Sequence, residues 1–344
     1  MTLNLFALTK EESKAVPLEQ SVWTPDNPSV ASDYIKNFFS VIEPKADGIL
    51  RILAIGNSFS ADAVENHLYD IAKAAGVKVI IGNIAIAGGQ LDAHVSNWET
   101  KAKVYDYVKI MSDGTKTTTT GNALEAAVID EHWDYISFQQ VSQNSGRFAI
   151  IKASLPKLYD YVKAKVSNRR AKYMLHQTWA YSQNSTHAGF ANYDNDQMKM
   201  YNAIVDAYKR TSALTGIKLV IPVGTAIQNA RTSVLGDNIT RDGYHLSLTT
   251  GRYIAALTWF EQITGISVVG NSYKPAGINT NTVELAQHAA HLAVQEPEKV
   301  TEMVNNQQTG TGGVLSHPDQ INFRQNSSAL GDSAPIGCLG FASN

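Results

Sequence analysis

Apolar positions along this chain alternate between two rhythms. Leu50 to Ile55 is an apolar run interrupted only by Arg51, the pattern of a strand buried on both faces. Ala61 to Ala75 follows with helical spacing and Gly76 as a C-cap. Val77 to Ala87 reads as a second strand ending at Gly88-Gly89, and Leu91 to Trp98 as a short helix. Lys101 to Thr120, with four threonines at 117–120, suggests a hairpin or an exposed excursion. The alternation resumes with a helix over 123–131, a strand over 133–138 ending at Gln139-Gln140, and a helix over 150–166. A fourth strand covers 172–176, a long helix 194–214 and a fifth strand 218–223. Helices over 249–264 and 284–305 complete the pattern.

Strands alternating with helices predict a three-layer α/β/α domain around a parallel sheet of about five strands, in the flavodoxin-like order. Residues 1–47, punctuated by Pro17, Pro25, Pro28 and Pro44, are expected to be a leader packing on the core. Residues 48–268 form the main domain. Residues 269–344 are expected to be a C-terminal helix and an irregular tail rich in Gly, Ser and Asn.

Hydrophobic residues make up 44% of the 344 and charged residues 17%. The first figure fills a sizeable core. The second leaves a surface of neutral polar groups, suited to neutral polar ligands. The net charge of -2, with no basic run, gives nucleic acid no electrostatic footprint. The single cysteine, Cys338, excludes an intrachain disulfide and a thiolate metal cluster. No stretch reaches the roughly 18 apolar residues of a membrane span. The N-terminus has no basic n-region of a signal peptide. The expected compartment is therefore the cytoplasm, or an exported one if a signal has been removed. The oligomeric state is open.

In an open parallel sheet, ligands bind beyond the carboxyl ends of the strands. The first strand delivers Gly56-Asn57-Ser58, the second Gly88-Gly89, the third Gln139-Gln140 and the fourth His176 to Trp179. The loop ahead of the helix over 249–264 carries Asp242-Gly243-Tyr244-His245. Together these groups suit acyl transfer. A serine hydroxyl needs a base within hydrogen-bond reach, and the base needs an orienting acid. Ser58, His245 and Asp242 fit those roles in turn. The backbone N–H groups of Ser58 and Gly88 and the side-chain amide of Gln139 are candidate oxyanion donors. Each feature alone has a bland reading: Gly-Asn-Ser as a helix cap, Gly-Gly as a turn, Asp-x-x-His as coincidence. The weight rests on their joint occurrence in this order.

These motifs resemble those of the SGNH (GDSL-type) hydrolases over residues 48 to 268. The first block of that family appears as Gly56-Asn57-Ser58, its oxyanion glycine as Gly88, and its Asp-x-x-His as Asp242 to His245. Within the superfamily the chain looks closest to the DUF4886-like branch, through Gly-Asn-Ser-Phe-Ser, Gly88 to His94, and Thr178 to Tyr181. The third block departs: the family's Gly-x-Asn-Asp is Gln139-Gln140-Val141-Ser142 here. Gln carries the same amide on a longer arm, and Gln139 is the favoured donor over Gln140.

The resemblance implies a serine esterase that needs no cofactor and acts on small acyl esters, O-acetyl above all, carried on carbohydrate. Gln140, Trp179 and Tyr181 are candidate substrate contacts, the two aromatics as a sugar platform. Gln183 and Asn184 are candidates for bonding hydroxyls, against a surface-loop reading. His94 reads better as a structural hydrogen bonder. No histidine pair has zinc spacing, so no metal is expected. A Gly-x-Ser-x-Gly elbow is absent, because position 60 is serine. The alternatives are a short-chain lipase or arylesterase, and an inactive carbohydrate-binding protein of the same fold.

Overall fold

The computed structural model describes residues 47–303. The expected leader, up to residue 46, and the tail beyond 303 lie outside the described residues. β1 (Ile49–Gly56) runs through the core, with Leu53, Ala54 and Ile55 wholly buried. It pairs in parallel with β2 (Lys78–Ala85) on one side and β5 (Tyr135–Phe138) on the other. β6 (Lys172–His176) and β7 (Leu219–Ile221) continue in parallel beyond β5. On the other side, β3 (Tyr105–Ile110) pairs antiparallel with β2, and β4 (Lys116–Asn122) antiparallel with β3.

Among the described residues the sheet thus has seven strands in the order β4-β3-β2-β1-β5-β6-β7. It is mixed, not wholly parallel as expected. The stretch read as a hairpin or excursion is a hairpin, and it joins the sheet as its outer edge. The threonine run on β4 is exposed, as an edge strand tolerates.

Helices flank the sheet in an α/β/α arrangement. In chain order they are α1 (Ser58–Val64), α2 (Leu68–Ala74), α3 (Leu91–Glu99) and α4 (Leu124–Asp130). α5 (Phe148–Lys165), α6 (Gln197–Thr215), α7 (Val223–Arg231), α8 (Thr250–Thr264) and α9 (Thr280–Gln295) follow. α8 is almost entirely buried, because it packs against α1, α2, α7 and α9 at once. The helix expected over 61–75 is divided in two. The Asn66 amide donates to the Ala61 carbonyl, a side-chain bond that competes with helix continuation. α7 replaces the end of the expected fifth strand, which stops at Ile221 ahead of Pro222. None of the described helices is long and apolar enough to cross a membrane.

The registers pair Gly56 with Ala85, Ile55 with Phe138, Phe138 with Leu175, and His176 with Ile221. The five parallel strands therefore end nearly level. Their following residues share one edge of the sheet.

Candidate active site

Ser58 opens α1 directly after β1. Asn57 caps the helix in extended conformation, its Oδ1 accepting from Phe59 N–H at 2.9 Å. Its Nδ2 donates to the Gly89 carbonyl at 2.9 Å. The turn after β2 is thereby tied to the turn after β1. Ser60 reinforces the corner by donating to Asn57 O at 2.7 Å.

Asp242 and His245 sit on a tight turn ahead of α8. Thr240 and Leu246 form an antiparallel bridge, Arg241 N–H donates to His245 O at 2.9 Å, and Ser247 N–H to Ile239 O at 2.7 Å. Inside the turn, Asp242 Oδ1 accepts from the N–H groups of Tyr244 and His245 at 3.1 and 2.7 Å. Asp242 Oδ2 lies 2.6 Å from His245 Nδ1, and His245 Nε2 lies 2.9 Å from Ser58 Oγ. Burial opposes ionisation of Asp242. The bonds from the His245 ring and the two amides outweigh it and hold the carboxyl below its ordinary value. An ionised carboxylate only accepts, so Nδ1 carries the proton and Nε2 is left to accept from the Ser58 hydroxyl. This is the geometry in which an imidazole can withdraw the serine proton.

Asp62 joins the two halves. It stands one turn after Ser58 on the same face of α1 and is 1% exposed. Its carboxylate accepts from Arg241 Nη1 at 2.9 Å, Arg252 Nε at 2.8 Å and Leu246 N–H at 2.9 Å. Arg241 also donates to the Leu246 carbonyl. One buried anion thus holds both flanks of the turn that carries Asp242 and His245. Sequence reasoning missed it. Asp62 four residues after Ser58 and Arg241 beside Asp242 were the available signals, but neither shows that the two side chains meet.

Gln139, expected as an oxyanion donor, has both ends of its amide bonded within the protein. It is fully buried, its Oε1 accepting from Asn57 N–H at 3.1 Å while its Nε2 donates to the Gln140 carbonyl. The oxygen end of the amide thus braces the turn beside Ser58. Gln140 is buried as well, its Oε1 accepting from Leu91 N–H and Val141 N–H at 3.2 and 2.8 Å. Gly88 lies exposed, with φ +63°, a conformation that favours glycine, and a Cβ there would meet nothing.

Trp179 and Tyr181 are fully buried, which corrects their assignment as a sugar platform. Trp179 stacks on Phe59 at 4.3 Å, and its Nε1 donates to the Tyr244 carbonyl at 2.7 Å. Tyr181 shares a hydrogen bond with Ser142 Oγ at 2.8 Å. The partly exposed rings near the site are instead Tyr244, 4.3 Å from the His245 ring, and His187, 4.7 Å from Tyr244. Burial, and then the neighbouring His245, hold the His187 imidazole below its ordinary pKa. His94 is buried against Tyr105, with Nδ1 2.9 Å from the phenol oxygen, and burial lowers its pKa to about 4. Among the described residues, no group of three His, Cys, Asp or Glu side chains is arranged to hold a metal ion.

Gly56 tests this bracing. A Cβ there would run into Gln139 Oε1 and come within 2.9 Å of Ser60 Oγ. Gly56→Ala is therefore expected to cost roughly 1–3 kcal/mol of stability, as overpacking does. A urea-unfolding midpoint unchanged from wild type would contradict the tight corner.

A family model described as "Domain of unknown function (DUF4886)" matches residues 51–293. The crystal structure of a DUF4886 family protein from Bacteroides uniformis ATCC 8492 is 52% identical, with 74% of this chain and 98% of that one covered and a TM-score of 0.73. A putative SGNH hydrolase from Slackia heliotrinireducens is 24% identical, with 62% of this chain and 99% of that one covered and a TM-score of 0.44. Axe2, an acetylxylan esterase from Geobacillus stearothermophilus, is 14% identical, with 64% and 95% covered and a TM-score of 0.42. The last two likenesses are too loose to assign an activity. No curated protein matches the chain.

Proposed function

We propose that this chain, which belongs to the DUF4886 family, is a serine esterase that hydrolyses small acyl esters on carbohydrate, O-acetyl above all. The observation that carries this reading is the continuous hydrogen-bonded chain from Ser58 Oγ through His245 to Asp242. Ser58 Oγ attacks the ester carbonyl while its proton passes to His245 Nε2. The tetrahedral oxyanion is held by the N–H of Ser58, at the start of α1, and by that of Gly88. Collapse expels the alcohol, which takes the proton from His245, and leaves an acyl group on Ser58. Water then repeats the cycle, giving up its proton to His245 and releasing the acid. Asp242 stays ionised and orients the imidazolium. Gln139 contributes by fixing the Asn57 N–H beside the nucleophile. The parallel run of the five strands β2-β1-β5-β6-β7 supports this reading, because it gathers the reacting groups on one edge.

The acyl group is small and the alcohol polar because the groups around the turn are hydroxyls, amides and two half-exposed rings. The test is acetate release, followed by NMR, from a panel of O-acetylated polysaccharides, alongside labelling by a fluorophosphonate probe. Acetate release together with probe attachment at Ser58 is the expected result. A chain that binds glycans but takes no label is a binding protein of the same fold. Preference for butyrate esters over acetylated sugars would make it a short-chain lipase.

A further inference from the structure

A polar cavity of about 350 Å³ is lined in part by Asp242, the residue bonded to His245. It lies between the segment after β6, which supplies Asn184, Ser185 and Thr186, and the segment ahead of the Asp242 turn, which supplies Asn238 and Thr240. The volume is at the lower end of the roughly 300–1,000 Å³ usual for small-ligand sites. Its lining contains no apolar side chain. A hydrocarbon chain therefore gains nothing by entering it.

The charges in the lining are already matched. Asp237 is bonded by the buried Arg231 at 2.8 Å, Arg241 by Asp62 at 2.9 Å, and Asp242 by His245 at 2.6 Å. A charged ligand would have to compete with these pairs. Neutral donors and acceptors remain, chiefly the exposed Asn184 and Thr186. The two segments are fixed relative to each other: Ser182 N–H donates to Gly243 O at 2.8 Å, and Ser182 and Thr240 share a hydroxyl bond at 2.7 Å. A Cβ at Gly243, where φ is +86°, would lie 3.1 Å from Ser185. Each segment also carries an aromatic ring immediately after its cavity residues. Thr186 is followed by His187 and Gly243 by Tyr244, and these rings meet at 4.7 Å. A sugar ring has polar edges and an apolar C–H face, and these two segments carry both hydrogen-bonding groups and partly exposed rings.

We propose that this cavity is a saccharide subsite that receives a neutral sugar ring of the ester's alcohol part. The inference rests on the esterase reading and assigns its selectivity to the segments 182–187 and 237–244. An ester borne on a neutral glycan would span the subsite and Ser58. A p-nitrophenyl ester would use Ser58 alone.

Two measurements on the full chain test this. The first compares kcat/KM for mono-O-acetylated xylobiose and cellobiose with that for p-nitrophenyl acetate, in wild type and in Asn184→Ala. The sugar-to-aryl ratio is expected to fall about tenfold, through KM, the worth of one hydrogen bond. An unchanged ratio overturns the subsite. The second titrates the Ser58→Ala variant with unacetylated xylobiose and cellobiose by saturation-transfer NMR, in the presence and absence of Thr186→Trp, which fills the cavity. Binding lost on filling supports the subsite, and binding that persists overturns it. If wild type cleaves neither acetylated disaccharide nor p-nitrophenyl acetate, the esterase reading fails, and the NMR titration still decides whether the cavity holds sugar.

Discussion

Ser58→Ala is expected to lower kcat for ester hydrolysis on the order of 10⁵–10⁶-fold, since a triad acting as a unit loses nearly everything with its nucleophile. The variant should fold as wild type does. Ser58 Oγ is bonded to His245, whereas the corner around it is held by Asn57, Ser60 and Gln139. Removing one hydroxyl leaves that scaffold intact. The assay is p-nitrophenyl acetate turnover with the His245→Ala variant in parallel, which reports background attack by other surface groups. Turnover by Ser58→Ala within tenfold of wild type would remove Ser58 from the mechanism and leave the hydrogen-bonded chain as structure only.

The second large effect belongs to Asp62. Asp62→Ala leaves Arg241, Arg252 and the Leu246 N–H without their shared acceptor. Breaking a buried ion pair by deleting one partner costs roughly 3–5 kcal/mol. Both arginines have some access to solvent, so the low end, about 3 kcal/mol, is expected in urea unfolding. The same deletion releases the turn that carries Asp242 and His245. A displacement of that turn by an ångström is enough to lower kcat on the order of 10²-fold with little change in KM. Asp62→Asn should recover part of both losses, because its amide oxygen can still accept from Leu246 N–H. An Asp62→Ala enzyme with wild-type kcat and a lowered unfolding midpoint would make Asp62 a stability element only.

The places of Ser58, Asp242 and His245 were legible because each depends on local signals. An apolar strand ending in Gly-Asn-Ser fixes where Ser58 sits, and Asp-x-x-His closes on itself through backbone N–H bonds within four residues. The mixed sheet was legible in part. The stretch over 101–120 suggested a hairpin or an exposed excursion, but not that β3 would pair with β2 and carry the threonine-rich β4 as the outer edge. The roles of the long polar and aromatic side chains were not legible. Trp179 is covered by Phe59, and Gln139 is turned inward by Asn57. In both cases a partner distant in sequence decides which way the side chain faces. Tyr244 and His187 escaped notice for the converse reason: their exposure follows from the meeting of two loops, which no periodicity records.

The bond between His245 and Ser58 joins positions 187 apart in the chain. Between them run six of the seven strands and most of the helices. Loop closure over such a span has to be met before the contact rewards it. The hydroxyl and the imidazole are therefore strangers throughout synthesis until the turn ahead of α8 has left the ribosome and docked on Asp62. A nascent chain that has completed every parallel strand still has Ser58 without its His245 partner. The contact arrives late, after all seven strands have been made and with only α8 and α9 still to follow.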